Sequence, residues 1–227
     1  MKILFLANSN HIKPVIVLQK LLEIKWINTV QFSVVTNREE GRLHELIMKN
    51  KIESFVIDTT EELKHIIQLE KADYLVCCGW NTLLPNEIIT MPQKVSLNCH
   101  SSYLPDYKGA SVFKHYWSNW EKQTGATVHI MDKEFDTGNI VAQNKMSLKW
   151  YYTPKTILKL VSSLTADLII EAIDKIESGD YGEPQKGGRY FYKMSNVRHV
   201  LYWFYNGLAS TLGFNKKLTP HKKIETD

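Results

Sequence analysis

The chain has 227 residues, 44% apolar and 23% charged, which supports a full hydrophobic core and excludes disordered, collagen-like and coiled-coil classes. The net charge of +4 is uneven. From Lys186 onward eight Lys/Arg face only Glu225 and Asp227, giving +6, whereas residues 1–185 hold 20 Lys/Arg against 22 Asp/Glu. A wholly basic nucleic-acid binder is disfavoured, and a local site for an anionic group stays open.

The opening MKILFLANSN has five apolar residues after its single Lys, too few for a signal peptide, and reads as a buried first strand, Lys2–Ala7. No run reaches the ~20 apolar residues of a spanning helix. Further strands are predicted at Val30–Thr36, Ser54–Ile57, Tyr74–Cys78 and Lys94–Asn98, with helical spacing between them at Ile12–Ile24, Glu39–Asn50 and Glu61–Glu70. This alternation predicts an α/β, Rossmann-like fold with a mostly parallel twisted sheet flanked by helices. Ligands in such sheets collect at the carboxyl ends of strands. Cys77, Cys78 and Cys99 are odd in number and two are adjacent, so no disulfide framework is implied and a reducing, cytoplasmic setting is expected.

In the second half, Ala126–Met131 and Gly138–Met146 read as strands joined by the turn Asp132–Thr137. Thr153 and Pro154 open a long helix whose apolar residues, Ile157, Leu160, Val161, Leu164, Leu168, Ala172 and Ile173, keep helical spacing until Ser178–Gly179. After Gly187–Gly188, RYFYKM alternates as a strand. His199–Phe214 contains no charged Asp, Glu, Lys or Arg and is dense in aromatics. It reads as a helix docked on the domain or at a subunit interface, and the flanking Arg198, Lys216 and Lys217 leave membrane-surface contact as the other reading. The expected division is a catalytic domain over 1–180 and a short aromatic extension over 181–227.

Ser96–Val141 concentrates the chemistry. Asn98 and His100, two apart at the end of a strand, point into one cleft while Cys99 points away, and Asp136 sits in a tight turn. An amide, an imidazole and a carboxylate at strand ends suit acyl transfer: a donor for an oxyanion, a positioned proton or charge, and a group that orients the His. No Ser or Cys is paired with a base as a nucleophile. The eight His include no HExxH pair and Cys77–Cys78 lack zinc spacing, so no metal is expected.

Asn98-Cys-His100, Leu104-Pro105-Asp-Tyr107-Lys108-Gly109-Ala110, Thr124-Gly125-Ala-Thr127 and Asp136-Thr137-Gly138 together resemble the folate-dependent formyltransferases. The resemblance spans roughly residues 1–180 in element order. It implies transfer of a formyl group from 10-formyltetrahydrofolate to an amine by direct attack, without an acyl-enzyme. Asn98 and His100 would stabilise the oxyanion, while Asp136 would hold His100 and assist deprotonation. It also implies a pterin slot at Gly79–Leu84 and Asp132–Asp136, with Gly79, Trp80, Thr82, Leu84, Asp132 and Phe135 as folate contacts. One departure is Ser101, where relatives commonly carry Pro.

Family resemblance leaves the acceptor amine open. The loop Asn8–Pro14 has no Gly, which disfavours the phosphate cradle of glycinamide ribonucleotide formylation. Only 39 residues follow Gly188, short of the RNA-binding domain of methionyl-tRNA formyltransferases. The expected acceptor is a nucleotide-linked amino sugar, dTDP- or UDP-linked, in surface polysaccharide synthesis, with no nucleic acid partner and a homodimer. Cations and aromatic rings of the extension suit a diphosphate and a pyrimidine. Candidate substrate contacts are Asn8, Asn10, Lys13, Tyr103, Lys108, Tyr190 and Lys193. Hydrolysis of formyltetrahydrofolate and a non-catalytic folate or nucleotide binder are the competing readings.

Overall fold

The computed structural model describes residues 1–213 and 219–223. Strand and helix alternate through β1 (Lys2–Ala7), α1 (Ile12–Glu23), β2 (Gln31–Thr36), α2 (Gly41–Lys49), β3 (Glu53–Val56), α3 (Thr60–Glu70), β4 (Tyr74–Cys78), α4 (Asn86–Ile89) and β5 (Val95–His100). The chain continues through β6 (Lys108–Gly109), α5 (Val112–Ser118), β7 (Gln123–Ile130), β8 (Ile140–Ser147), α6 (Pro154–Glu177), β9 (Arg189–Phe191), α7 (Asn196–Thr211) and β10 (His221–Lys223). Local chemistry explains several boundaries. Thr59 and Glu62 form a reciprocal capping box at the start of α3, and Thr153 caps α6 with Pro154 in its first turn.

The main sheet has the order β3-β2-β1-β4-β5-β7-β8, parallel from β3 to β5 and antiparallel over β7 and β8. Both faces of the central strands are covered, as their unbroken apolar sequences require. Ile3, Phe5 and Val76 pack toward α1 and α6 through Val17, Leu21, Val161 and Ile169, while Leu4, Leu6 and Leu75 pack toward α3 and α4 through Leu63, Ile67 and Ile88.

Most boundaries shift by one to three residues from the sequence reading, and three of the shifts have a clear local cause. β5 runs on to His100 because β7 pairs with it there, Cys99 opposite Val128 and His100 opposite Thr127. The RYFYKM strand shortens to Arg189–Phe191, since its neighbour β6 is two residues long and β10 pairs with only three. α7 begins at Asn196, ahead of His199, because the Ser195 hydroxyl accepts from the Arg198 N–H at 3.3 Å and caps it. Phe214, Lys216 and Lys217 lie outside the described residues.

The carboxy-terminal extension is bound into the catalytic half. β9 pairs in parallel with β6 and antiparallel with β10, making a second three-stranded sheet. α7 docks on α5 by stacking Trp203 on Trp117 and Trp120, centroids 5.1 and 4.8 Å apart, and Asn206 donates to the Ser118 carbonyl at 2.8 Å.

Candidate active site

β5 delivers Asn98 and His100 to one face of its end, and Cys99 alternates into the core. The loop after β7 returns Asp136 to the same point with φ +60°, 5% exposed. Asp132 knits that loop, accepting from Thr137 Oγ1 at 2.6 Å and from the Glu134 N–H at 3.2 Å. Gly138 is required by close approach: a Cβ there would lie 2.0 Å from the Ile130 carbonyl oxygen.

Asp136 is the hub. Its Oδ1 lies 3.1 Å from His100 Nδ1, accepts from Asn98 Nδ2 at 3.1 Å and is 3.5 Å from His129 Nε2; its Oδ2 accepts from the Gly109 N–H at 2.8 Å. Burial alone would raise this carboxyl, but the charges and hydrogen bonds of His100 and His129 outweigh it and hold Asp136 well below the usual carboxylate range. The other ring nitrogen of His100, Nε2, faces the Tyr107 carbonyl oxygen at 2.8 Å. Both nitrogens of His100 therefore face oxygen acceptors, which fixes the ring from two sides. His129 Nδ1 faces the Ile130 carbonyl at 2.8 Å and its Nε2 lies 3.0 Å from Asn98 Nδ2. Asn98 thus directs its NH2 group at His129 and Asp136, not outward.

Sequence reasoning missed three contributors: His129, the Tyr107 carbonyl and the Gly109 N–H. His129 had a signal, since it stands opposite Asn98 in the β5–β7 register and shares the face of Thr127. The Tyr107 and Gly109 contacts are backbone groups without a side-chain signature. Arg189 grips Asp106 through two bonds of 2.7 Å and lies over the Tyr107 ring, 4.8 Å from its centroid.

Among the folate candidates, Gly79 ends β4 with φ +74°, and Trp80 is half-buried with an indole N–H that has no partner. Leu84 is buried in the core cluster that Trp80 and Met131 pack against, so its side chain serves packing. Thr82 and Phe135 are exposed. Met131, Asp132 and Thr137, with Asn86, Ile89 and Thr90, line a cavity of about 470 Å³, within the range of small-molecule sites. A cavity of this size beside the Asp132 loop suits a flat heterocycle.

The substrate candidates disperse. Asn8 shapes its own loop by accepting from the Asn10 N–H at 3.0 Å, and Asn10 is exposed. Lys13 is corrected by the structure: it is buried and donates to the Cys99 carbonyl, supporting β5 from inside. Lys108 is buried near the Asp loop; burial pushes its ammonium down against the pull of Asp136, Asp132 and Glu134. Tyr190 approaches the site, and its phenol is raised by burial and then by the charge of Asp136. Tyr103 lies under the Lys145 ammonium, 4.4 Å from its centroid, in a smaller cavity of about 160 Å³. Lys193 is exposed, and the structure does not gather it with Asp136. The three cysteines are free and buried. Among the described residues, no group of three or more His, Cys, Asp or Glu is arranged to hold a metal ion.

Comparison with known proteins sets this geometry in context. Methionyl-tRNA formyltransferase of Borreliella burgdorferi strain ZS7 is 29% identical over 198 residues, covering 82% of this chain and 61% of that protein. Across the methionyl-tRNA formyltransferases it matches, the chain spans 34% to 61% of their length. Two solved structures share the fold. Glycinamide ribonucleotide transformylase 1 from Symbiobacterium toebii superposes with a TM-score of 0.69 at 19% identity, covering 79% of this chain and 89% of that one. An N-formyltransferase from Helicobacter canadensis, in complex with folinic acid and dTDP-3-aminofucose, gives 0.62 at 22% identity, covering 85% and 71%. The formyl transferase family model matches residues 1–173, three quarters of the chain and all of the Asn98–His100–Asp136 site, and the chain belongs to that family.

Proposed function

We propose that the protein transfers the formyl group of 10-formyltetrahydrofolate to the amine of an amino sugar carried on a nucleoside diphosphate, most simply a thymidine diphosphate. The observation that carries the acceptor assignment is the pairing of β9 with β6, which brings the basic, aromatic extension against the Asp136 loop. Tyr190 stands beside Gly109, and Arg189 lies one residue before it. An aromatic face suits a pyrimidine and the lysines of the extension suit a diphosphate, while Arg189 itself is engaged by Asp106.

The residues divide the work by their contacts. His100, held at both ring nitrogens, sets its imidazole at the strand end where negative charge develops on the formyl oxygen during attack. Asp136 holds that ring in place. Its depressed pKa makes it a weak base, so orientation is its principal part. Asn98 offers its amide between His129 and Asp136, and an oxyanion draws on one of those hydrogens by competing with them. The cavity beside Met131 and Asp132 would hold the pterin. The folate supplies the activated formyl group.

A second reading has its own support: curated relatives matched at 28% to 36% identity formylate methionyl-tRNA by name. One panel separates the two. With 10-formyltetrahydrofolate, the protein is expected to formylate a thymidine or uridine diphosphate amino sugar faster than glycinamide ribonucleotide, methionyl-tRNA or water. Faster formylation of methionyl-tRNA would overturn the acceptor assignment and leave formyl transfer standing.

A further inference from the structure

α7 is docked by one side only. His199, Trp203, Asn206 and Ala209 face α5, whereas Val197, Leu201, Phe204, Leu208 and Leu212 are 62% to 70% exposed. At 3.6 residues per turn these five positions fall within an arc of about 80°, centred opposite the docked side. Five large apolar side chains on one open face of a single helix form a contiguous patch, not scattered surface residues.

The charge around this helix has one sign. Residues 184–224 contain eight Lys/Arg and no Asp or Glu. Arg198 flanks the stripe on the helix itself. At its start, Lys114 donates to Asn196 Oδ1 at 2.8 Å and to the Met194 carbonyl at 3.2 Å. The segment entering β10 is tied to the same place, because Thr219 and Asn206 both donate to Asn119 Oδ1, at 2.8 and 3.2 Å, and this carries the exposed Lys222 and Lys223. Glu121, just after α5, accepts from the Tyr107 hydroxyl at 2.7 Å.

We propose that this face of α7 is a membrane-docking surface, lying in the interface of an anionic lipid bilayer with the stripe among the acyl chains and the cations at the phosphates. An apolar stripe bordered by cations and free of carboxylates matches such a surface in both chemistry and sign. A second copy would bring one basic segment against another. RNA would meet the cations but leave the leucines against phosphate and water. No helix among the described residues is long and apolar enough to cross a membrane, so the contact is peripheral.

The full chain is tested by sedimentation with vesicles of phosphatidylcholine containing roughly one third phosphatidylglycerol, and with phosphatidylcholine alone. Binding to the anionic vesicles is expected at least about tenfold tighter than to neutral ones, and weaker at high salt. The double variant Leu201→Glu/Leu208→Glu should lose at least about tenfold in vesicle binding while keeping its melting temperature and its formyl transfer in solution. Absence from anionic vesicle pellets would overturn the proposal. So would equal binding by the double variant, which would leave cations alone as the cause. A stable dimer that the double variant dissociates would assign the stripe to a second copy, and transfer-RNA binding lost in the double variant would assign it to RNA; either result replaces the bilayer.

Discussion

The backbone N–H of Gly109 donates to Asp136 Oδ2 at 2.8 Å, and the same glycine pairs with Phe191 of the extension. With φ at +91°, a Cβ on Gly109 would stand 2.4 Å from the Phe191 carbonyl oxygen and 3.0 Å from the Tyr190 ring. The Asp136 carboxylate and the carboxy-terminal strand are thereby braced through one residue. Gly109→Ala is expected to lower kcat at least about tenfold and to cost about 1–3 kcal/mol of stability. Steady-state kinetics and denaturant unfolding measure the two, and parental kinetics would break the brace argument.

Arg189 braces the same loop from its other side, through Asp106 and the Tyr107 ring. Because the Tyr107 carbonyl holds His100, Arg189→Gln should lower kcat several-fold with little change in either KM. The stability cost is about 1 kcal/mol, since the Asp106 partner is half exposed. A change confined to the acceptor KM would instead make Arg189 a binding residue.

Asn98→Ala, His100→Ala and Asp136→Ala should each cost at least ~100-fold in turnover with the fold retained, the usual scale for removing one preorganised charge or donor. His129→Phe should cost about tenfold, because Asn98 Nδ2 loses one of its two partners. Losses under tenfold in all four variants would show that the chemistry lies elsewhere.

Asp136 also sets an acid limit. Its pKa in the folded chain lies below the unfolded value of ~3.9, so it stabilises the fold above that pH and loses this contribution as pH falls toward the folded pKa. Unfolding free energy measured from neutral pH downward should therefore fall below about pH 4 more steeply than in Asp136→Asn. Parallel curves for the two proteins would place the acid sensitivity in other carboxylates.

The alternating strands and helices were legible because each element carries its own period: β1 and β4 are unbroken apolar runs buried on both faces, and α6 opens on Thr153-Pro154 and keeps its stripe to Ile176. Asn98, His100 and Asp136 were legible because their motifs flank strand ends, where a doubly covered sheet must open to solvent. Lys13 was misread because sequence shows a cation near a loop and not the direction of its stem.

By itself, then, the sequence determined the α/β order, the three central side chains of the site and the basic, aromatic character of the tail, all of which depend on residue type and near-neighbour spacing. Only the tertiary structure decided that both nitrogens of His100 face acceptors, that His129 completes the cluster, and that β9 locks Gly109 against Asp136. Those contacts join residues 7 to 82 positions apart and several run through backbone groups, whose hydrogen-bonding capacity is the same at nearly every residue until the fold chooses their partners.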